Sequence, residues 1–495
     1  MAHPPSSYIT PNPIKFGTDG WRGVIAADFT FERLYRVAAA AAQVLAEVYG
    51  NASSSTEPKV IVGYDRRFLS ETFAHTAATA VQAVGLTPVL AETFAPTPAF
   101  SLAAQQQGAL GALVITASHN PGSYSGLKIK GAFGGSVPGE VTQQVEARLD
   151  QTPPPELDGE LDCPRFNPWT AYCQTLRSKV DMGAIQQAIR QGQVQVYADV
   201  MHGAAAGGLE KLLELEIQEL HGERDPLFGG HSPEPLPRNL ADLFRRIRAD
   251  RSSQSDPSTF LGVGFVFDGD ADRIAAVDSQ GEFLSSQILI PILLEHLAVR
   301  HRLQGELIKT VSGSDLMPKV AQLYNLPVHE TPVGYKYIAD RMLTTPVLLG
   351  GEESGGIGYG NHIPERDGLL SALYLLEAIV QSGSDLSALY QQLQTKTDFV
   401  SAYDRIDLPL ETMAMADRIK AQLQQNPPKT IVDQTVVDCI TIDGYKFRLA
   451  DQSWLMIRFS GTEPLLRLYC EAPTCSQVHQ TLAWAKDWAN QIQVS

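Results

Sequence analysis

The sequence predicts an α/β chain that finishes in an α+β unit, and three observations carry that reading. Apolar residues at helical spacing alternate with short buried-strand runs from Phe31 to about Val380. Several of those runs end in polar, glycine-containing loops, as strands of open α/β sheets do where they bind ligands. From Val436 onward short strand-like runs follow one another directly, with helical patterns only before and after them.

The elements read in order as follows. Phe31 to Tyr49 repeats its apolar positions at Leu34, Val37, Ala38, Ala41, Val44 and Leu45, and KVIVGYD (59–65) follows as a buried strand. A helix near 71–84, a strand at 87–90 and the run 112–116 continue the alternation, so helices should flank a largely parallel first sheet. The proline-rich stretch 152–168 marks a boundary. Beyond it come a strand at 194–199, a helix near 205–215, a loop rich in Pro and Gly at 222–239 and the strand GVGFVFD (262–268). A third unit runs through a helix at 285–300, strand 306–311, helix 315–324, strand 346–351 and a helix from about 367 to 380. The closing unit offers strands at 436–442, 445–449, 454–459 and 465–470.

Composition narrows the function classes. The chain has 495 residues and a formal charge of −16, from 39 Lys and Arg against 55 Asp and Glu. That balance excludes a basic nucleic-acid surface. With 44% hydrophobic and 19% charged residues the chain can bury sizeable cores, and at roughly 100 to 200 residues per domain the length predicts three or four of them. Cys163, Cys173, Cys439, Cys470 and Cys475 include no CxxC pair, which predicts a reduced intracellular protein without a thiolate metal site. Neither an apolar leader nor a run of about 18 apolar residues is present, so a soluble, cytoplasmic protein without membrane partners is expected. An anionic ligand would need local Arg, Lys, backbone N–H groups or a cation.

Five loops could supply that chemistry. DGDADR places Asp268, Asp270 and Asp272 directly behind an apolar strand, and three hard oxygen donors at i, i+2, i+4 suit Mg²⁺. Two like charges about 4 Å apart cost up to about 4 kcal/mol at an effective dielectric of 20, a cost a divalent ion relieves. The plain alternative is an acidic turn capping backbone N–H groups; an EF-hand lacks its Gly and Glu positions here. TASHNP offers Ser118 beside His119, with Lys128 and Lys130 downstream. A hydroxyl there either caps the next element or carries a phosphoryl group, and GxSxG is absent. GEESGG brings Glu352 and Ser354, donors and acceptors suited to sugar hydroxyls on an otherwise ordinary turn. RFSGTEP combines Arg458, Ser460, Gly461 and Thr462 into either a phosphate nest or a hairpin with an exposed arginine. In KFGTDGWRG, Arg22 reaches an anion or merely flanks a loop packed by Trp21, while Tyr64 to Arg67 read as structural.

Taken together in this order, FGTDGWRG, TASHNP, DGDADR, GEESGG and RFSGTEP resemble the loops of the α-D-phosphohexomutases, spread over positions 16 to 464. The resemblance implies four domains around a central cleft: three similar α/β domains with mixed sheets, at 1–155, 156–282 and 283–392, and a C-terminal α+β domain at 393–495. It implies that Ser118 is phosphorylated and that Asp268, Asp270 and Asp272 hold Mg²⁺ together with a phosphoserine oxygen. Lys128 resembles the lysine that shuttles a proton, which requires a lowered pKa. His119, Arg22 and Arg273 match groups around the transferring phosphoryl. Glu352 and Ser354 match the pair that holds sugar hydroxyls. Thr331 and Gly334 are expected as further substrate positions, and Arg458, Ser460, Gly461 and Thr462 match the cradle for the non-reacting phosphate.

GEES is similar to the glucose branch, whereas mannose-tolerant and glucosamine branches usually read GEMSG or GEQSG followed by His; here Gly356 stands in that place. Arg366 falls where some glucose enzymes carry a lysine, and an arginine there acts as an electrostatic clamp. The expectation is a Mg²⁺-dependent phosphoglucomutase working through glucose 1,6-bisphosphate, as monomer or homodimer with a small phosphosugar as its partner. The alternatives are a phosphomannomutase, a glucose 1,6-bisphosphate synthase, or a catalytically silent phosphosugar sensor.

Overall fold

The computed structural model describes residues 12–17, 19–50, 58–149, 154–460 and 464–494. The helix Phe31–Tyr49 begins where Thr30 accepts a hydrogen bond from the Arg33 N–H, and it buries the predicted Leu34, Val37, Ala38, Ala41, Val44 and Leu45 stripe. The strands Lys59–Tyr64, Thr87–Ala91 and Gly111–Ile115 run parallel in one sheet. That sheet is largely parallel but mixed, with one of its six strands reversed. The strand Tyr124–Gly131 returns antiparallel beside Gly111–Ile115, and Trp21–Val24 pairs antiparallel with it in turn. The physical reason is the length of the connection: the few residues from Thr116 to Ser123 close a loop but cannot make the crossover a parallel partner needs. A two-residue strand, Arg165–Phe166, completes the opposite edge.

The second sheet centres on the strands Gln195–Asp199 and Gly262–Phe267, which run parallel, and its Ile274–Val277 strand folds back antiparallel after the DGDADR turn. The predicted helix at 205–215 shortens to Gly208–Leu213, because the turn before it packs against the aspartate loop, with Ala204 N–H donating to the Gly269 carbonyl at 2.9 Å. The third sheet pairs Glu306–Thr310 parallel with both Val328–Thr331 and Val347–Gly351, and Ile357–Tyr359 antiparallel at its edge. The helix Gly368–Ser382 starts under the side chain of Asp367, which accepts from the Leu370 N–H.

The last sheet is wholly antiparallel, in the order Ala402–Pro409, Leu465–Ala472, Trp454–Phe459, Tyr445–Leu449, Gln434–Ile440 and Thr430–Ile431, and it packs on the helices Met413–Gln425 and Cys475–Val494. Three α/β domains and a C-terminal α+β domain are thus present. One continuous apolar core runs through the first three, from Trp21 to Phe399, while the last has a core of its own around Ile419, Phe447, Leu455 and Leu468. The junction with that last domain is strongly polar. The buried Glu471 carboxylate accepts from the Asp315 N–H and the Trp454 indole, each at 2.7 Å, and from the hydroxyls of Ser314 and Ser401. Asp315 in turn pairs with Arg448 at 2.7 Å and Lys446 at 3.2 Å.

Candidate active site

Four of the five loops singled out in the sequence stand at the carboxyl end of a buried strand, KFGTDGWRG leads into the strand Trp21–Val24, and three of the four meet. Ser118 follows the strand Gly111–Ile115 in the left-handed region, with φ 51°. A non-glycine residue there is strained and persists only where its surroundings hold it. Thr116 Oγ1 accepts from its N–H at 2.9 Å, and the fully buried Arg67 donates to the carbonyls of Ser118 and Asn120, both at 2.6 Å, while pairing with Asp65. Arg67 is structural, as predicted, and what it supports is the serine loop. The aspartate turn comes so close that a Cβ on Gly269 would stand 2.3 Å from the Ser118 carbonyl oxygen. Only glycine allows that approach.

Ser118 Oγ donates to Asp268 Oδ2 at 2.8 Å. Asp268, Asp270 and Asp272 are completely buried, and one carboxylate oxygen of each lies within 4.8 Å of the others. Burial, then the charges of Asp272 and Asp270, push the Asp268 carboxyl far above the usual range. Asp270 Oδ2 is held by Thr97 Oγ1 at 2.6 Å and by Lys128 Nζ at 2.8 Å. The Oδ1 atoms of Asp270 and Asp272 are buried without a hydrogen-bond partner. Orphaned carboxylate oxygens of that kind fit a hard divalent cation such as Mg²⁺, so the three aspartates form a candidate metal site.

Lys128, on the strand Tyr124–Gly131, touches Asp19 Oδ2, Asp272 Oδ2 and Asp270 Oδ2 at 2.6, 2.7 and 2.8 Å. Burial opposes its charge, but the three carboxylates outweigh burial and raise its pKa. The lowered pKa expected of a proton-accepting lysine is therefore corrected: in this arrangement Lys128 is held as an ammonium. His119 is the neutral group instead. Arg273, then burial and Arg22, keep its imidazole far below its ordinary pKa, and its Nδ1 lies 3.4 Å from Ser118 Oγ. Arg22 donates to Asn120 Oδ1 at 2.6 Å, and Arg273 donates its backbone N–H to Asp268 Oδ1 at 3.1 Å.

The third-domain loop joins through Arg366. Its Nη2 reaches Asp19 Oδ2 at 2.5 Å and Asp272 Oδ2 at 2.6 Å, and its Nη1 lies 3.5 Å from Glu352 Oε2. Glu352 is buried, which raises its pKa despite Arg366. Ser354 is half-buried on the same turn. A Cβ on Gly356 would stand 2.2 Å from Arg366 Cδ, so the guanidinium stem fills the room that a side chain at 356 would take.

Arg458 and Ser460 stand at the end of the strand Trp454–Phe459, while Gly461 and Thr462 lie outside the described residues. Arg458 Nε donates to Asp443 Oδ2 at 2.9 Å, and the same oxygen accepts from the Val333 N–H at 3.0 Å. Val333 lies between Thr331, which is buried, and Gly334, whose φ of 135° opens the helix Tyr335–Met342. The expected substrate positions of the third and fourth domains are thus neighbours. Sequence reasoning missed Thr97 and Asp443, and quoted Asp19 and Asn120 only as parts of motifs. Nothing in local spacing marks them, because each meets its partner across a domain boundary or a turn.

Strained serine, buried acidic triplet and surrounding guanidiniums, carried on three like sheets, define a phosphoryl-handling protein of the four-domain α/β type. Four family profiles match in chain order: phosphoglucomutase/phosphomannomutase alpha/beta/alpha domain I at residues 13–155, domain II at 170–281, domain III at 285–397 and the C-terminal domain at 407–483. The crystal structure of a candidate phosphomannomutase from Thermus thermophilus is 31% identical, covers 97% of this chain and 100% of its own, and superposes with a TM-score of 0.82. A phosphoglucosamine mutase from Levilactobacillus brevis is 28% identical over 93% of this chain and 94% of its own. A phosphoglucomutase/phosphomannomutase from Thermococcus kodakarensis is 26% identical over 94% and 96%. The chain belongs to the phosphoglucomutase/phosphomannomutase family, the α-D-phosphohexomutases. No helix among the described residues is long and apolar enough to cross a membrane.

Proposed function

We propose that the chain interconverts hexose 1-phosphate and hexose 6-phosphate through a phosphorylated Ser118 and a hexose 1,6-bisphosphate. The observation that carries this reading is the meeting of Ser118 Oγ, the three aspartates, Lys128, Arg22 and Arg273 in one buried cluster. Phosphoserine 118 gives its phosphoryl group to O6 of the 1-phosphate: the P–Oγ bond breaks and the P–O6 bond forms. The bisphosphate turns over and returns its 1-phosphoryl to Ser118. In the first transfer O6 loses a proton and Ser118 Oγ gains one; in the return the P–O1 bond breaks, the P–Oγ bond forms again, Ser118 Oγ loses its proton and O1 gains one. Lys128, held as an ammonium, is the acid, and neutral His119 is the base. Arg22 and Arg273 stabilise the equatorial oxygens as charge develops on them.

Mg²⁺ bound by Asp268, Asp270 and Asp272 would neutralise the transferring phosphoryl. Glu352 and Ser354 orient the sugar hydroxyls, Thr331 and Gly334 are further substrate positions, and Arg458, Ser460, Gly461 and Thr462 cradle whichever phosphate is not reacting. Arg366 cannot shuttle a proton; it clamps Asp19, Asp272 and Glu352.

Two hexoses compete. Glucose is favoured by the GEES turn and by Arg366 filling the space beside Gly356. Mannose is favoured by the 31% identical Thermus protein and by the phosphoglucomutase/phosphomannomutase from Thermococcus kodakarensis, while the Levilactobacillus relative is a phosphoglucosamine mutase. We propose that both 1-phosphates are accepted. Ser118→Ala should abolish turnover and label uptake from bisphosphate, and unaltered turnover would remove the covalent step. A panel of glucose, mannose and glucosamine 1-phosphates with Mg²⁺ and trace bisphosphate decides the sugar. Turnover of glucosamine 1-phosphate alone would overturn the hexose assignment.

A further inference from the structure

A second cluster of metal-ligating side chains lies away from the Ser118 site and has no part in the reaction described. His296 stands in the last turn of the helix Ser286–Val299, His301 just beyond its end, and Glu377 on the helix Gly368–Ser382. Both imidazoles direct Nε2 at one carboxylate oxygen: His296 Nε2 lies 2.7 Å and His301 Nε2 2.6 Å from Glu377 Oε2. The three atoms all fall within 4.8 Å of one another. His296 and Glu377 are buried, whereas the His301 side chain keeps 21% of its surface exposed, so the cluster opens to solvent on one side.

The groups behind the cluster fix it. Glu377 Oε1 accepts from the Asp181 N–H at 2.7 Å, which orients the carboxylate. The Tyr374 ring packs against both imidazoles, with centroids 6.5 and 5.3 Å away. A His₂Glu set with one open position is a donor set of zinc sites, and a backing hydrogen bond to the ligand carboxylate is its usual support.

We propose that His296, His301 and Glu377 bind a borderline divalent cation of the Zn²⁺ kind, with water in the fourth position, and that the ion ties the third domain to the segment at Asp181. Tetrahedral ligands about 2.0 to 2.1 Å from zinc stand about 3.3 Å apart, so each Nε2 must retreat from Oε2 by about 0.6 Å. His301, on a solvent-facing turn, has room to do so. Imidazole nitrogen selects Zn²⁺ over Mg²⁺, which keeps this site distinct from the aspartate triplet. On binding, the Nε2 hydrogens of neutral imidazoles relocate to Nδ1 through solvent, and a protonated imidazole releases one proton to the buffer. Nothing is oxidised or reduced.

The test uses the full chain, stripped with EDTA and then saturated with Mg²⁺. Zn²⁺ is titrated calorimetrically and Co²⁺ by its visible absorption, in wild type and in His301→Gln, which keeps a donor for Glu377 but has no ligating nitrogen. All five cysteines and the three aspartates are present in both proteins, so their binding cancels. The expected result is one extra Zn²⁺ equivalent, tetrahedral Co²⁺ bands and a Zn²⁺-dependent rise in melting temperature in wild type alone, with equal Mg²⁺-supported turnover. Equal Zn²⁺ uptake and equal Co²⁺ spectra would overturn the proposal and leave a hydrogen-bonded clamp. Should His301→Gln fold poorly, His301→Ala replaces it with the same readouts. Loss of mutase activity in Ser118→Ala bears on neither outcome.

Discussion

Ser118 Oγ and Asp268 Oδ2 share a hydrogen bond of 2.8 Å across 150 residues of chain. The proposed nucleophile and a candidate metal ligand are thereby held together by the fold itself. Asp268→Asn keeps the shape but removes the charge. We expect at least a tenfold higher Mg²⁺ requirement, on the order of what loss of a well-oriented ligand shell costs. A Mg²⁺ titration of turnover reads it; an unchanged midpoint would detach Asp268 from the metal.

Removing Mg²⁺ altogether should stop turnover, and readdition should restore it, since the buried Oδ1 atoms of Asp270 and Asp272 have no hydrogen-bond partner. Undiminished turnover in EDTA, with metal content verified, contradicts that role.

Arg273 and Arg22 both act on His119. Arg273→Ala should lower kcat by about 10² to 10³, the usual loss when one preorganised charge at a transferring group is deleted. It should also bring the His119 titration back toward the ordinary histidine range. A change confined to KM would place Arg273 in ground-state binding.

His221 pairs with Asp199 on the turn behind the aspartate loop. Its hydrogen bond to Asp199 Oδ1, at 2.9 Å, outweighs burial and raises its pKa above 6.5. A histidine raised in the folded state stabilises fully below its unfolded pKa and loses that contribution as pH rises through the folded value. His221→Gln should therefore cost stability at pH 6 and progressively less above it. Denaturant midpoints at several pH values check the sign. Asp199 also accepts from the Met201 N–H and so holds the turn that packs on Gly269.

Glu471 is the principal acceptor at the junction of the third and fourth domains. Glu471→Ala leaves the Asp315 N–H and the Trp454 indole buried without their acceptor. About 3 to 5 kcal/mol of destabilisation is expected, as when one member of a buried charged network is removed. Urea unfolding followed by tryptophan fluorescence should show the last domain releasing first.

Most helices and strands were legible because their causes are local: periodic apolar stripes, Thr30 and Asp367 as caps, a polar loop after each buried strand. The Tyr124–Gly131 strand escaped because Lys128 and Lys130 interrupt its apolar pattern, and only the carboxylates around them make their burial tolerable. The five loops were legible as chemistry, though not the pairing of Lys128 with Asp19 or of Thr97 with Asp270.

By itself, then, the sequence determined which residue types stand at the strand ends and in what order. Tertiary structure alone decided which of them meet, and hence that Lys128 is charged while His119 is neutral. The reason is that a pKa belongs to the field of neighbours a side chain acquires on folding. Here those neighbours come from separate sheets, brought together by a shared apolar core that no local pattern announces.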